Sequence, residues 1–219
     1  MRIGFDARAV RYRGIGTYSR NLLLRFARSG MEFVVFCQDA EKGAIPSLDA
    51  FTLVSANMDP LSHGGQKAFR SLVQDSGVDL LHVPSPWAPS PLSVPLVATI
   101  HDVTPLLYPR SLSPWLRWAY KRRLPRTVEE ASRIITVSRI SHSALTAYTG
   151  VNPAKVHVIY NGVSEEFRPQ TDAAVLSAVR RRYSLPERFA FWVGDFRPEK
   201  NLQFLVQAWH RVQRRLSEP

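Results

Sequence analysis

Cysteine is nearly missing from this chain. The one thiol, Cys37, follows the apolar run Phe33-Val34-Val35-Phe36. One cysteine forms no internal disulfide, and in that setting it reads as a small buried hydrophobe. A reducing, cytoplasmic environment is expected. No apolar run is long enough to cross a bilayer. A secretory leader is not expected either, because Met1-Arg2-Ile3-Gly4-Phe5-Asp6 reaches charge too early. Zinc-finger spacings and RNA-binding aromatic motifs are lacking, so no nucleic-acid partner is expected. Acids are scarce beside bases: 18 Asp and Glu stand against 29 Lys and Arg, a net charge of +11. That surplus calls for an anionic partner, with anionic lipid and nucleotide phosphate as the candidates.

What is present is a well-stocked apolar inventory. Hydrophobic residues make up 45% of 219 residues, enough for one large α/β domain or one domain with part of another. Short apolar runs alternate with helical patterns. Strands are expected at Arg2 to Phe5, Phe33 to Cys37, Phe51 to Ser55, Asp79 to Val83, Leu96 to Ile100, Ile134 to Val137 and Lys155 to Ile159. Helices are expected at Tyr18 to Arg28, Gln66 to Gln74, Pro114 to Ala131 with a break at Pro125, and Ser141 to Tyr148. Such alternation predicts an α/β fold with a parallel sheet and helices on both faces. Ligands then bind in the loops beyond the carboxyl ends of the strands. After a turn-rich stretch to Gln170 come a helix from Ala173, a strand from Phe189 to Val193 and a helix from Leu202 to Leu216. The division read from this pattern is 1–170 and 171–219.

Four loops carry candidate chemistry. Arg13-Gly14-Ile15-Gly16-Thr17 follows the first strand. Its glycines let backbone amides approach a ligand, and the helix start behind them favours an anion. The third glycine of a dinucleotide fingerprint is missing, which argues against NAD or FAD. His101-Asp102-Val103-Thr104-Pro105 follows the fifth strand. A neutral imidazole there could donate to a sugar hydroxyl or to phosphate, and Asp102 could orient the loop or fix a tautomer. Ile135-Thr136-Val137-Ser138 ends a strand, with Ser138 or Ser141 as a helix cap. Finally, Gly194-Asp195-Phe196-Arg197-Pro198-Glu199-Lys200-Asn201-Leu202 puts cations at a helix start, which suits a diphosphate.

Taken together, the Gly-Ile-Gly turn, the His-Asp-x-x-Pro loop, the Ile-Thr-Val-Ser strand end, Asn161-Gly162-Val163 and the Pro-x-Lys-Asn-Leu stretch resemble the family 4 glycosyltransferases. The resemblance runs the length of the chain. It implies the N-terminal half of a GT-B fold, a Rossmann-like acceptor-side domain, followed by the start of a donor-binding domain. His101-Asp102 with Pro105 resembles the subgroup of bacterial mannosyl- and rhamnosyltransferases of polysaccharide assembly. Residue by residue, Gly14, Ile15, Gly16 and Asp102 would form the loop near acceptor and donor phosphates. His101 would contact the transferred sugar, and Lys200, with Arg197, would hold the donor diphosphate. The implied reaction is retaining hexosyl transfer from a nucleotide sugar such as GDP-mannose to a glycan or lipid-linked acceptor, without metal or cofactor.

Two departures stand out. Asp195 and Glu199 occupy positions where the family often has cations or small polar residues. The family's pair of glutamates with seven residues between them is missing: no glutamate here has another eight positions on. The chain is therefore expected to be inactive alone, and a complementary C-terminal domain is an expected partner. A non-catalytic or split-enzyme subunit is the alternative. Separately, Pro114-Trp115-Leu116-Arg117-Trp118-Ala119-Tyr120-Lys121-Arg122-Arg123 mixes aromatics and cations. It reads either as a helix lying on an anionic membrane at the inner face of the cell, or as an ordinary helix with its tryptophans on the core.

Overall fold

The computed structural model describes residues 1–108 and 112–216. Contacts divide the chain into two units, Met1–Asn161 and Gly162–Pro219. The first unit holds β1 (Arg2–Asp6), α1 (Arg13–Phe26), β2 (Glu32–Cys37), β3 (Thr52–Ser55), α2 (His63–Asp75), β4 (Leu80–Val83), β5 (Leu96–Thr99), α3 (Thr104–Leu107), α4 (Pro114–Glu130), β6 (Arg133–Thr136), α5 (Arg139–Thr149) and β7 (Val156–Val158). The strands pair in the order β3-β2-β1-β4-β5-β6-β7, and every pairing is parallel.

Strands covered on both faces have no polar side to show, which is why they are continuous apolar runs in the sequence. In β2, every residue from Phe33 to Cys37 is buried. One face of the sheet packs Phe36, Phe69, Leu81, Leu124, Ile134 and Leu145 into a core. The opposite face packs Ile3, Phe5, Leu23, Phe33 and Val35. Cys37 is a free, buried thiol in this second cluster, as its apolar surroundings predicted.

The chain runs outward from β1 to β3 and then returns to β4 on the other side of β1. The strand order thus reverses between β1 and β4, and that reversal opens a crevice at the carboxyl edge of the sheet.

Local differences from the sequence reading have physical causes. No break occurs at Pro125: α4 is continuous through it. Pro125 is exposed, and the buried residues Tyr120, Leu124, Thr127 and Val128 hold the helix to the core on either side of it. The first helix begins five residues earlier than expected, at Arg13, so Gly14 and Gly16 lie within its first turn rather than in a preceding loop.

The second unit contains α6 (Ala173–Arg182) and α7 (Leu202–Leu216). Asp172 caps α6 through the amides of Ala174 and Val175, and Arg180, Arg181 and Arg182 fill its last turn, where cations favour the helix dipole. The strand expected at Phe189 to Val193 does not form: no strand is assigned in this unit among the described residues. A strand is defined by its ladder, and this segment has no neighbour to pair with. Phe191 and Val193 are each 82% exposed.

Candidate functional site

At the carboxyl edge, where the strand order reverses between β1 and β4, α1 meets the end of β5 through Tyr18 and Thr99. His101 sits two residues past β5. Its peptide is clamped from two helices: Ser141 Oγ of α5 donates to the His101 carbonyl at 2.7 Å, and Tyr120 OH of α4 donates to the Asp102 carbonyl at 2.7 Å. The Tyr18 ring of α1 meets the imidazole edge-on, with centroids 4.8 Å apart.

The imidazole has one engaged and one open nitrogen. The backbone group of Pro84 is hydrogen-bonded to the ring. Proline has no N–H, so this partner is a carbonyl and the ring donates. Nε2 is buried and has no partner, which assigns the donating role to Nδ1. Burial holds the His101 pKa below its ordinary value, against smaller opposing effects of Pro84 and Asp102. The ring is therefore neutral at pH 7, with a bare acceptor at Nε2. The sequence reading had the imidazole donating to a hydroxyl or phosphate. This tautomer instead accepts, so a sugar hydroxyl suits it and a phosphate oxygen does not.

Behind His101 lies a polar chain that the sequence reading missed. His82 Nε2 is 2.9 Å from Thr99 Oγ1, and Tyr18 OH is 3.2 Å from the same oxygen. His82 also meets the Phe5 ring edge-on at 5.2 Å. Burial lowers the His82 pKa from 6.5 to about 4, with nearby His101 acting in the same direction and Asp6 opposing. The unfolded chain binds a proton below pH 6.5 that the folded chain refuses until about pH 4. Stability from this residue is thus fully present above pH 6.5 and is lost as pH falls toward 4. The loss amounts to about 3 kcal/mol. In urea titrations at pH 7 and 4.5, His82→Gln should lose less stability on acidification than the parent. An equal loss in both would show that His82 does not titrate in this way.

A second pair at the same edge was also missed. Asp6 and Arg8 are 6% and 4% exposed. Arg8 Nε donates to Asp6 Oδ1 at 2.9 Å and Nη2 to Oδ2 at 2.8 Å. The guanidinium lies 3.5 Å from the Phe69 ring centroid, and Arg8 Nη1 is buried without a partner.

The two glycines of the first turn of α1 differ in kind. A Cβ on Gly16 would lie 2.3 Å from the Val10 carbonyl oxygen, and the Gly16 amide is already spent on Tyr12 O at 2.8 Å. Gly16 is therefore a packing glycine. A Cβ on Gly14 would meet nothing within 4 Å. Tyr12 gives α1 no side-chain cap, and no acid lies in its first turn. The leading amides, at Gly14 and the half-buried Ile15, thus face an opening suited to an anion. Asp102 serves the loop: its Oδ1 accepts from the Thr104 amide at 2.9 Å.

Lys200 and Arg197 belong to the second unit. Arg197 Nε lies 2.8 Å from Asp195 Oδ2, and Nη1 lies 3.2 Å from Glu199 Oε1. The two acids that depart from the family's pattern are thus the partners of Arg197, whose charge is compensated. Lys200, at the end of a 3-10 turn, is exposed. Among the described residues, no group of three His, Cys, Asp or Glu side chains is placed to hold a metal ion, and no helix is long and apolar enough to cross a membrane.

Residues 12–167 match the model of Glycosyltransferase Family 4. Over 116 residues the chain is 28% identical to the serotype-specific mannosyltransferase WbdA of Escherichia coli, covering 52% of this chain and 14% of that one. Among solved structures, a glycosyltransferase from Rickettsia africae matches with a TM-score of 0.59 at 14% identity, over 85% of this chain and 50% of that one. Anabaena HepE, solved with UDP, matches with a TM-score of 0.57 at 17% identity, over 84% of this chain and 50% of that one. At such identities the likeness is one of fold, and the first unit has the Rossmann-like parallel sheet expected of the N-terminal half of a GT-B fold. The chain spans half the length of each of these structures and a smaller share of the mannosyltransferase.

Proposed function

The chain belongs to glycosyltransferase family 4, and on that premise we propose that it is the acceptor-side part of a retaining hexosyltransferase acting in polysaccharide or glycolipid assembly. The observation that carries this reading is His101 Nε2, a buried acceptor without a partner at the crevice where the strand order reverses. A hydroxyl of the transferred sugar would donate to it. The site would then reject a donor lacking that hydroxyl, because the nitrogen would stay buried and unpaired.

In the transfer, the anomeric C–O bond to the diphosphate breaks and the diphosphate leaves with the electron pair. The acceptor oxygen bonds the anomeric carbon on the same face, and its proton passes to the departing phosphate oxygen. In the first unit the developing charge is met by the first-turn amides at Gly14 and Ile15; in the second unit Lys200 is the residue to which the resemblance gives a hold on the donor diphosphate. Arg197 contributes less, being held by Asp195 and Glu199.

The donor is proposed to be a nucleotide sugar, with GDP-mannose first to be tried because WbdA is a mannosyltransferase. The acceptor is a glycan or a lipid-linked glycan. A complementary donor-side domain is the expected partner, since Phe189, Phe191, Val193 and Phe196 are exposed apolar residues of the second unit that need covering. The test is a transfer assay with nucleotide sugars on this chain alone and on the chain completed by a donor-side domain.

On α4 the tryptophans do not face the core. Trp115 and Trp118 are 57% and 55% exposed, with Leu107 and Tyr108 also exposed, while Tyr120 is the aromatic that packs inward. These exposed rings, with Lys121 and Arg122 beside them, form the surface that would meet an anionic membrane.

A further inference from the structure

A separate cavity of about 170 Å3 lies between α2 and α4, lined by His63, Gln66, Lys67, Arg70, Ser90, Arg123 and Arg126 among others. Its charged walls are all of one sign. Lys67 and Arg70 come from one helix, Arg123 and Arg126 from the other, and no acid lines the space. None of these four cations takes part in an ion pair among the described residues. Two acids end α4: Glu129 is exposed and forms no ion pair with these cations among the described residues, and Glu130, at the cavity's edge, accepts from Ser90 Oγ at 2.9 Å and from the Leu92 amide at 2.8 Å.

Cations gathered in a recess without counter-charge repel one another, and a bound anion relieves that repulsion. We propose that this cavity is a second anion site, distinct from the His101 crevice, which takes a phosphate group. Guanidinium forks on opposing walls suit the tetrahedral oxygens of phosphate. Burial lowers the Arg123 pKa, and the neighbouring Arg126 and Arg122 charges lower it further. Gln66 is 6% exposed and its Oε1 has no partner. That oxygen would accept a hydroxyl carried by the same ligand, as in a glycerol or sugar phosphate. Helix α4, which carries Arg123 and Arg126, also carries exposed Trp115 and Trp118 one to three turns away. The phosphate could therefore arrive on a lipid headgroup or free in solution, and this proposal does not depend on the transfer reading.

The test uses the full chain with two probes: inorganic pyrophosphate by calorimetry, and vesicle flotation with phosphatidylglycerol against phosphatidylcholine alone. Arg123→Gln/Arg126→Gln should weaken binding by roughly tenfold or more, as expected for losing two charge-assisted contacts. Lys67→Gln/Arg70→Gln, from the opposite wall, should do the same with circular dichroism unchanged, and His101→Ala should leave pyrophosphate affinity intact. If pyrophosphate binds and both charge-removing pairs weaken that binding, the site takes soluble phosphate. If only phosphatidylglycerol vesicles are bound, and Trp115→Ala/Trp118→Ala also lowers recovery, the phosphate is a headgroup. Binding of neither probe, or binding that both charge-removing pairs leave unchanged, overturns the proposal.

Discussion

Replacing His101 by alanine in a version completed by its donor-side domain should lower transfer by at least two orders of magnitude while leaving the fold intact. The imidazole makes one structural hydrogen bond, to Pro84, and its loop is fixed through backbone carbonyls by Ser141 and Tyr120. These clamps survive the substitution. What is lost is the acceptor at Nε2, the only atom of the ring left for a ligand. Removing one preorganised polar contact of this kind costs on the order of 10²–10³ in rate. His101→Gln, whose carboxamide oxygen also accepts, should recover part of the loss. Near-normal turnover in His101→Ala would make His101 a structural turn residue.

Gly16→Ala should be the most damaging small change to the first unit. The added methyl would sit 2.3 Å from the Val10 carbonyl oxygen and 2.8 Å from its carbon, backbone atoms that move only if the β1–α1 connection shifts. Overpacking of this kind costs about 3 kcal/mol, which in a chain of this size lowers Tm by roughly 10 °C. Gly14→Ala is the control. Space is open there, and alanine is the better helix former by about 1 kcal/mol, so Tm should hold or rise. Its methyl would shade the first-turn amides and weaken anion binding. Thermal unfolding separates the two. Equal Tm values would show that Gly16 does not pack as described.

These two residues also mark how far sequence reasoning reaches. Glycines 14 and 16 look alike in the sequence, because a need for close approach does not say what approaches. Here one approaches its own backbone and the other faces solvent. The strands of the sheet were legible because burial on both faces removes polar residues from them. That same simplicity hid His82 and Thr99, which sit inside the runs Leu80-Leu81-His82-Val83 and Leu96-Val97-Ala98-Thr99 and read as filler. Their value comes from the β4–β5 register, which pairs His82 beside Val97 and brings its ring to Thr99. Arg8 gave no signal in the sequence, although it is almost fully buried on Asp6. The segment 189–193 has the composition of a strand, but composition does not supply a neighbour. His101 was legible because its position, just past a buried strand, depends on the strand alone.

The most direct measurement is transfer of a hexosyl group by the chain completed with a donor-side domain, followed by NMR of the anomeric centre of the product. Turnover of a nucleotide sugar with the donor's anomeric configuration kept, and none by the 219-residue chain alone, is the result expected. An inverted product, or robust turnover by the isolated chain, would contradict the account.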